Sequence, residues 1–269
     1  MGRAGLRFEP WLVGLGSISL AAWSVLAFGA STLALPMLCL SGAGPQIPLS
    51  VSFDLALLLN SPASLARGWV LMLAAMMLPV IAAPLRHVRD RSFARRRGRA
   101  MLLFVSGYLA VWMVAGAALE AVALTARSVA PLPVALGVAF AAAITWQVSP
   151  AKQWCLNRCH RRPQLAAFGW AADRDAFNFG LASGAACTGA CWALMLSMLL
   201  AGEGQLPAMI AITLMVFAER LEAPGPLKWR WRGAGKVWRI VGAQVRLIGA
   251  DLSPSGNPGS RDRADHPRC

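Results

Sequence analysis

The run from Phe179 to Ala201, FGLASGAACTGACWALMLSMLLA, contains no charged residue. About 20 apolar or small residues in succession are enough to cross a bilayer as one helix. In water such a helix would have no polar face, so this run restricts the chain to a membrane protein or a deeply buried core. Cys187 and Cys191 lie four apart within it and share one helix face. The same face continues through Gly180 and Gly184 on one side and Met195 and Met198 on the other. Small residues let a neighbouring helix approach closely. Thiols and thioethers are soft ligands suited to Cu(I), and thiols also to Zn.

Similar runs recur, and 57% of the chain is hydrophobic against 14% charged, which is the composition of a membrane protein. The expected fold is all-α: a polytopic transmembrane bundle of about six spans with a C-terminal interfacial helix. The spans fall near Trp11–Leu38, Ser64–Leu85, Ala100–Thr125, Pro131–Ser149, Phe179–Ala201 and Leu206–Ala218. Asn60, Ser61 and Pro62 form a helix-start signal ahead of the second span. Within it, Pro79 cannot donate to the carbonyl of Ala75, so a kink is expected there. By composition, residues 1–223 form the bundle, 224–252 a basic juxtamembrane segment with an interfacial helix over Val237–Ala250, and 253–269 a disordered tail rich in Gly, Pro, Ser and charge.

The net charge of +14 does not point to nucleic acid, because the basic residues are distributed by loop. Two precede the first span, seven separate the second from the third, and five separate the fourth from the fifth. The intervening loops carry none, or only Arg127. The positive-inside rule then places both termini in the cytoplasm of a multi-pass bacterial inner-membrane protein. Glu219 and Arg220, at the end of the sixth span, are expected to snorkel to the interface.

Six cysteines in 269 residues do not make a secreted disulfide scaffold. Four form two matching pairs, Cys155/Cys159 and Cys187/Cys191, while Cys39 and Cys269 stand apart as incidental residues. Cys155, Cys159 and His160 are expected in a polar cytoplasmic connection, Pro150–Asn178, with the spacing of a metal-ligand cluster. Met76 and Met77 lie at nearly the depth of Cys187. Four thiols could close a soft tetrahedral site if the loop pair dips about 10 Å into the bundle; otherwise there are two sites. The plainer reading makes the cysteines and methionines small or adaptable packing residues. His87 reads as one more loop residue. No Ser/His/Asp set, phosphate-binding glycine loop or paired catalytic carboxylates is present, so nothing marks the chain as an enzyme.

The segments GWVLMLAAMMLPVIAAP, FVSGYLAVW, ITWQVSPAKQWCLNRCH and CTGACWALM, in this order, resemble the predicted metal-binding integral membrane proteins of bacteria, a family otherwise known as a domain of unknown function. The resemblance runs from about Gly68 to Glu219 and implies a bound metal, with Met76, Met77, Cys155, Cys159, Cys187, Cys191 and Trp192 at matching positions. The chain departs from the family pattern at Ala190, where a second cysteine often precedes the tryptophan, and near Ser183, where a histidine is common. The expectation is a membrane protein that binds copper or zinc through its cysteine pairs, with a role in metal handling. The alternatives are a scaffold or partner-binding subunit without metal, or a thiol-redox membrane protein. Expected partners are the lipid bilayer, the metal ion and a membrane or metallochaperone protein. A reporter active only in the periplasm should work when fused after Gln205 and stay silent after Asp173; the opposite result reverses the topology.

Overall fold

A computed structural model describes residues 9–28, 62–201 and 204–231. Among the described residues every regular element is helical. The order is α1 (Pro10–Phe28), α2 (Pro62–Asp90), a 3-10 turn over Ala94–Arg96, α3 (Arg97–Val129), α4 (Leu132–Val148), α5 (Pro150–Cys159), α6 (Gly169–Leu200) and α7 (Gln205–Leu221). Four helical stretches, Pro10–Phe28, Ala66–Asp90, Ala94–Val129 and Gly169–Leu200, are long and apolar enough to cross a membrane. Helices α4 and α5 meet at a 65° bend and make a fifth such stretch when taken together. The sixth expected span corresponds to α7, whose 17 residues extend only about 25 Å. The expected interfacial helix over Val237–Ala250 and the tail from Ser253 lie outside the described residues, as do Cys39 and Cys269.

Helix α6 is the centre of the bundle and packs against α3, α4, α5 and α7. Its tightest neighbour is α3, and glycine is the reason. Gly180 lies against the backbone of Phe104, and Gly184 against the backbone of Tyr108. Across the same seam, a Cβ placed on Gly107 would come within 2.5 Å of the carbonyl oxygen of Phe177. Without side chains at these positions, the two backbones meet directly. On the other face of α3, Gly116 receives the indole of Trp69 from α2, and the Trp69 Nε1–H donates to the Trp112 carbonyl at 3.0 Å.

The fifth expected span begins earlier than its apolar run. Asp173, Arg174 and Asp175 make the stretch before Phe179 read as a connection, yet α6 starts at Gly169. Asp173 is neutralised by Arg96 at 2.6 Å and Arg99 at 2.7 Å, and Asp175 accepts the amide of Ala166 at 3.0 Å. At the far end of α6, Arg127 of α3 donates to the Leu199 carbonyl at 2.8 Å, so one of the otherwise unpaired last-turn carbonyls has a partner.

Pro79 lies within α2 and leaves the Ala75 carbonyl without its helical donor. The buried Ser19 hydroxyl of α1 supplies the replacement, donating to that oxygen at 2.8 Å. Ser19, Ala22 and Leu26 form the buried stripe of α1. At the end of the same interface Arg89 of α2 pairs with Glu9 at 2.8 Å and lies over the Trp11 ring.

The first part of the expected polar connection, Pro150–Cys159, is a helix with buried residues rather than a loop. Ser149 accepts the Lys152 amide with its side chain, Pro150 occupies the first turn, and α5 folds back against α6. Lys152, Gln153, Cys155, Leu156 and Cys159 are buried. Burying Lys152 requires a counter-charge, and Glu219 of α7 provides it at 2.7 Å. Gln147 of α4 hydrogen-bonds to both. Glu219 therefore does not snorkel; it is 3% exposed and holds three helices together. Past α7, the Gly225 amide and carbonyl pair with the Asn157 carboxamide, and the Arg230 amide donates to the Val148 carbonyl at 3.0 Å.

Two predictions follow from these buried polar contacts. Ser19→Ala should cost about 1 kcal/mol, read as a lower thermal midpoint in detergent; an unchanged midpoint would show that the Ala75 carbonyl needs no partner. Glu219→Gln strands the Lys152 ammonium and should cost about 3–5 kcal/mol, whereas Lys152→Met with Glu219→Leu should recover most of the loss. If the double variant is as unstable as the single one, the pair is not what joins α5 to α7.

Candidate metal centre

Cys187 and Cys191 lie midway along α6, one turn apart and each 1% exposed. Their face of α6 turns toward α2 and α3. The Cys187 sulfur is 4.0 Å from the Met77 sulfur of α2 and accepts a hydrogen bond from the Tyr108 hydroxyl of α3 at 3.2 Å. The Cys191 thiol, next to that of Cys187, donates to the Cys187 carbonyl at 3.0 Å. Three sulfur atoms from two helices thus gather in the buried core, with a phenol beside them.

The donor chemistry suits a soft monovalent ion. Metal–sulfur bonds of about 2.3 Å place two ligating sulfurs up to about 4.6 Å apart, and the Cys187–Met77 separation of 4.0 Å falls within that reach. Thiolate and thioether together favour Cu(I). Met76 is buried in the same core at 1% exposure, but the thioether that meets Cys187 is that of Met77.

Cys155 of α5 approaches α6 by another face. Gly189 leaves room for Cys155: a Cβ there would be 2.6 Å from the Cys155 sulfur. Residue 189 lies about 200° around the helix from residue 187. Cys155 therefore packs with Leu156 and Ala190, separated by the body of α6 from the core containing Cys187 and Cys191. The bend between α4 and α5 removes any need for a loop to dip into the bundle. It does not create a four-thiol tetrahedron, and among the described residues no three His, Cys, Asp or Glu side chains converge as a metal-binding group. All four described cysteines are free thiols.

Cys159 lies near the end of α7, where His160 joins the two helices. The His160 Nδ1 faces the Leu156 carbonyl at 2.9 Å and its Nε2 faces the Arg220 carbonyl at 3.2 Å. A neutral imidazole can donate to only one of these two carbonyls. His87 is similarly engaged, with Nε2 at 2.9 Å from the Pro163 carbonyl and its ring edge-on to Phe179. Trp192 packs edge-on against Trp146 at 5.2 Å, and the Trp146 Nε1–H donates to the Gly189 carbonyl at 3.0 Å. Trp192 also packs against the core cluster that contains Cys187 and Cys191.

Two participants escape a reading of the sequence alone. Tyr108 is the only tyrosine in the chain, and that was the signal available. Lys152 is hidden among loop-like polar residues.

No curated protein and no solved structure matches the chain. One family model does, PpoB2, described as a copper chaperone, and it covers residues 66–245. That range takes in α2 through α7 and both cysteine pairs. The soft-sulfur pocket and the match over most of the chain agree, and the protein belongs to the PpoB2 copper chaperone family.

Proposed function

We propose that the protein is a multi-span membrane protein that accepts Cu(I) as cargo at Cys187, Cys191 and Met77 and passes it on by exchange between sulfur ligands. The observation that supports this most directly is the buried Cys187–Met77 contact at 4.0 Å with the Cys191 thiol beside it. Family membership supports copper over zinc, as does a set of two thiols and one thioether. The orientation read from the basic residues puts the Cys159 end of α5 toward the cytoplasm of a bacterial inner membrane.

Binding converts two thiols to thiolates, so each Cu(I) taken up releases two protons. Tyr108 donates to the Cys187 sulfur and so stabilises its anionic form, while Met77 can join as a neutral third donor. The ion leaves by the reverse exchange: each resident thiolate in turn gives way to an incoming thiolate on copper and regains a proton, two protons in all. Cys159 and Cys155, on α5, are the other thiols among the described residues available for a stepwise passage; Met76 and His160 are held in other contacts or elsewhere in the core.

The test is Cu(I) content and competition against a chromogenic Cu(I) chelator, with protein purified in detergent. Cys187→Ser with Cys191→Ser should weaken retention at least a hundredfold, and Met77→Leu by about tenfold. Cys155→Ser with Cys159→Ser should leave the equilibrium affinity largely intact and slow the exchange. Equal, near-zero copper in wild type and the Cys187/Cys191 variant would overturn the proposal in favour of a metal-free scaffold.

A further inference from the structure

We infer that α5 and the stretch after α7 form a binding surface for an anionic phospholipid. Its headgroup meets basic and indole side chains there, and its acyl chains lie along α4. The inference rests on the reading of the chain as a membrane protein and concerns a face that the thiol pocket does not use.

Helix α4 contains no charged residue and buries one narrow stripe, Ala135, Ala139, Ala143 and Gln147. Val134, Val138 and Ile144 lie outside that stripe, each more than half exposed. A helix that is apolar around its circumference yet so little covered by protein turns the rest of its surface to lipid. Its last residues then mark the edge of the hydrocarbon. The chain after α7 is fastened at that level: the Arg230 amide donates to the Val148 carbonyl at 3.0 Å. Trp229 and Trp231 remain more than half exposed, with Lys228 and Arg230 exposed beside them. On α5, just past the bend, the exposed Trp154 carries the Arg158 guanidinium 3.8 Å from its ring centroid. Indoles and cations at the end of a lipid-facing helix suit the headgroup layer.

Charge then determines the kind of lipid. Residues 149–162 and 219–231 hold seven basic side chains and two acidic ones. Glu219 is committed to Lys152, which leaves six cations against Glu222. Among the described residues no ion pair engages Arg158, Lys228 or Arg230. A zwitterionic headgroup brings no net charge to offset this excess. An anionic headgroup does, and its phosphate oxygens accept from guanidinium and ammonium donors. Each basic side chain at an anionic surface strengthens binding about fivefold. Inorganic phosphate would satisfy the cations but leave the indoles and the bare face of α4 unused, so the fitting ligand carries acyl chains.

The full chain in detergent is titrated with phosphatidylglycerol and with phosphatidylcholine of the same acyl chains, and bound lipids are counted by native mass spectrometry. Wild type should hold phosphatidylglycerol about tenfold more tightly or better. Equal affinity for the two lipids overturns the inference, and this comparison needs no variant to fold. Inorganic phosphate at the same concentration should not displace phosphatidylglycerol; if it does, the surface recognises a phosphate alone and the inference fails. Arg158→Gln with Lys228→Gln and Arg230→Gln should remove about tenfold or more of the preference and leave Cu(I) retention unchanged. A preference that survives in this variant places the lipid elsewhere and also overturns the inference. In vesicles containing brominated phosphatidylglycerol, Trp229→Phe with Trp231→Phe should lose part of the wild-type fluorescence quenching; quenching identical in both would contradict the placement of these indoles. A wild-type chain that does not enter vesicles at all sinks the membrane reading itself, whereas entry without a lipid preference sinks this inference alone.

Discussion

The arrangement depends on the direct approach of α3 and α6 at Gly107, Gly180 and Gly184. Apolar side chains gain little by leaving lipid for one another, so membrane helices associate through close packing and hydrogen bonds. Here the seam also sets up the chemistry. Tyr108 follows Gly107 by one residue, and Cys187 follows Gly184 by less than one turn. Once the glycines fix the separation of the backbones, the phenol and the thiol are at 3.2 Å. A larger residue at Gly180 would collide with the Phe104 backbone, move α3 outward and withdraw Tyr108 from the sulfur.

The bundle accommodates buried charges by pairing them. Lys152 and Glu219 neutralise each other, with Gln147 hydrogen-bonded to both. A pair of this kind joins elements without adding much stability over an apolar equivalent. Here it fixes a short bent helix to α7 and so determines which face of α6 the Cys155 pair can meet.

Much of the fold could be read from the sequence, and the exceptions have physical causes. The long apolar runs identify α1, α2, α3 and α6 because a helix in lipid needs no partner to satisfy its backbone. The glycine face of α6 and its thiols are legible from i, i+4 spacing. The start of α6 is not, because Asp173 is neutralised by Arg96 and Arg99 from a distant part of the chain. Helix α5 is hidden for the same reason: Lys152 and Gln153 look solvated until Glu219 and α6 enclose them. Ser149–Pro150 was a legible helix-start signal, masked by the polar residues that follow. The meeting of Cys187 with Met77 follows from their common depth, whereas the separation of Cys155 from them depends on which face of α6 receives α5.

The Asn157 carboxamide bonds to both the amide and the carbonyl of Gly225, imitating the two-way pairing of adjacent strands. Arg230 adds a third tie, at Val148. The polypeptide leaving α7 is therefore laced to the short helix that carries Cys155 and Cys159, and to the bend above it. The outer tie holds the end of α4 and the inner one holds α5, so the stretch after α7 braces the 65° bend from both sides.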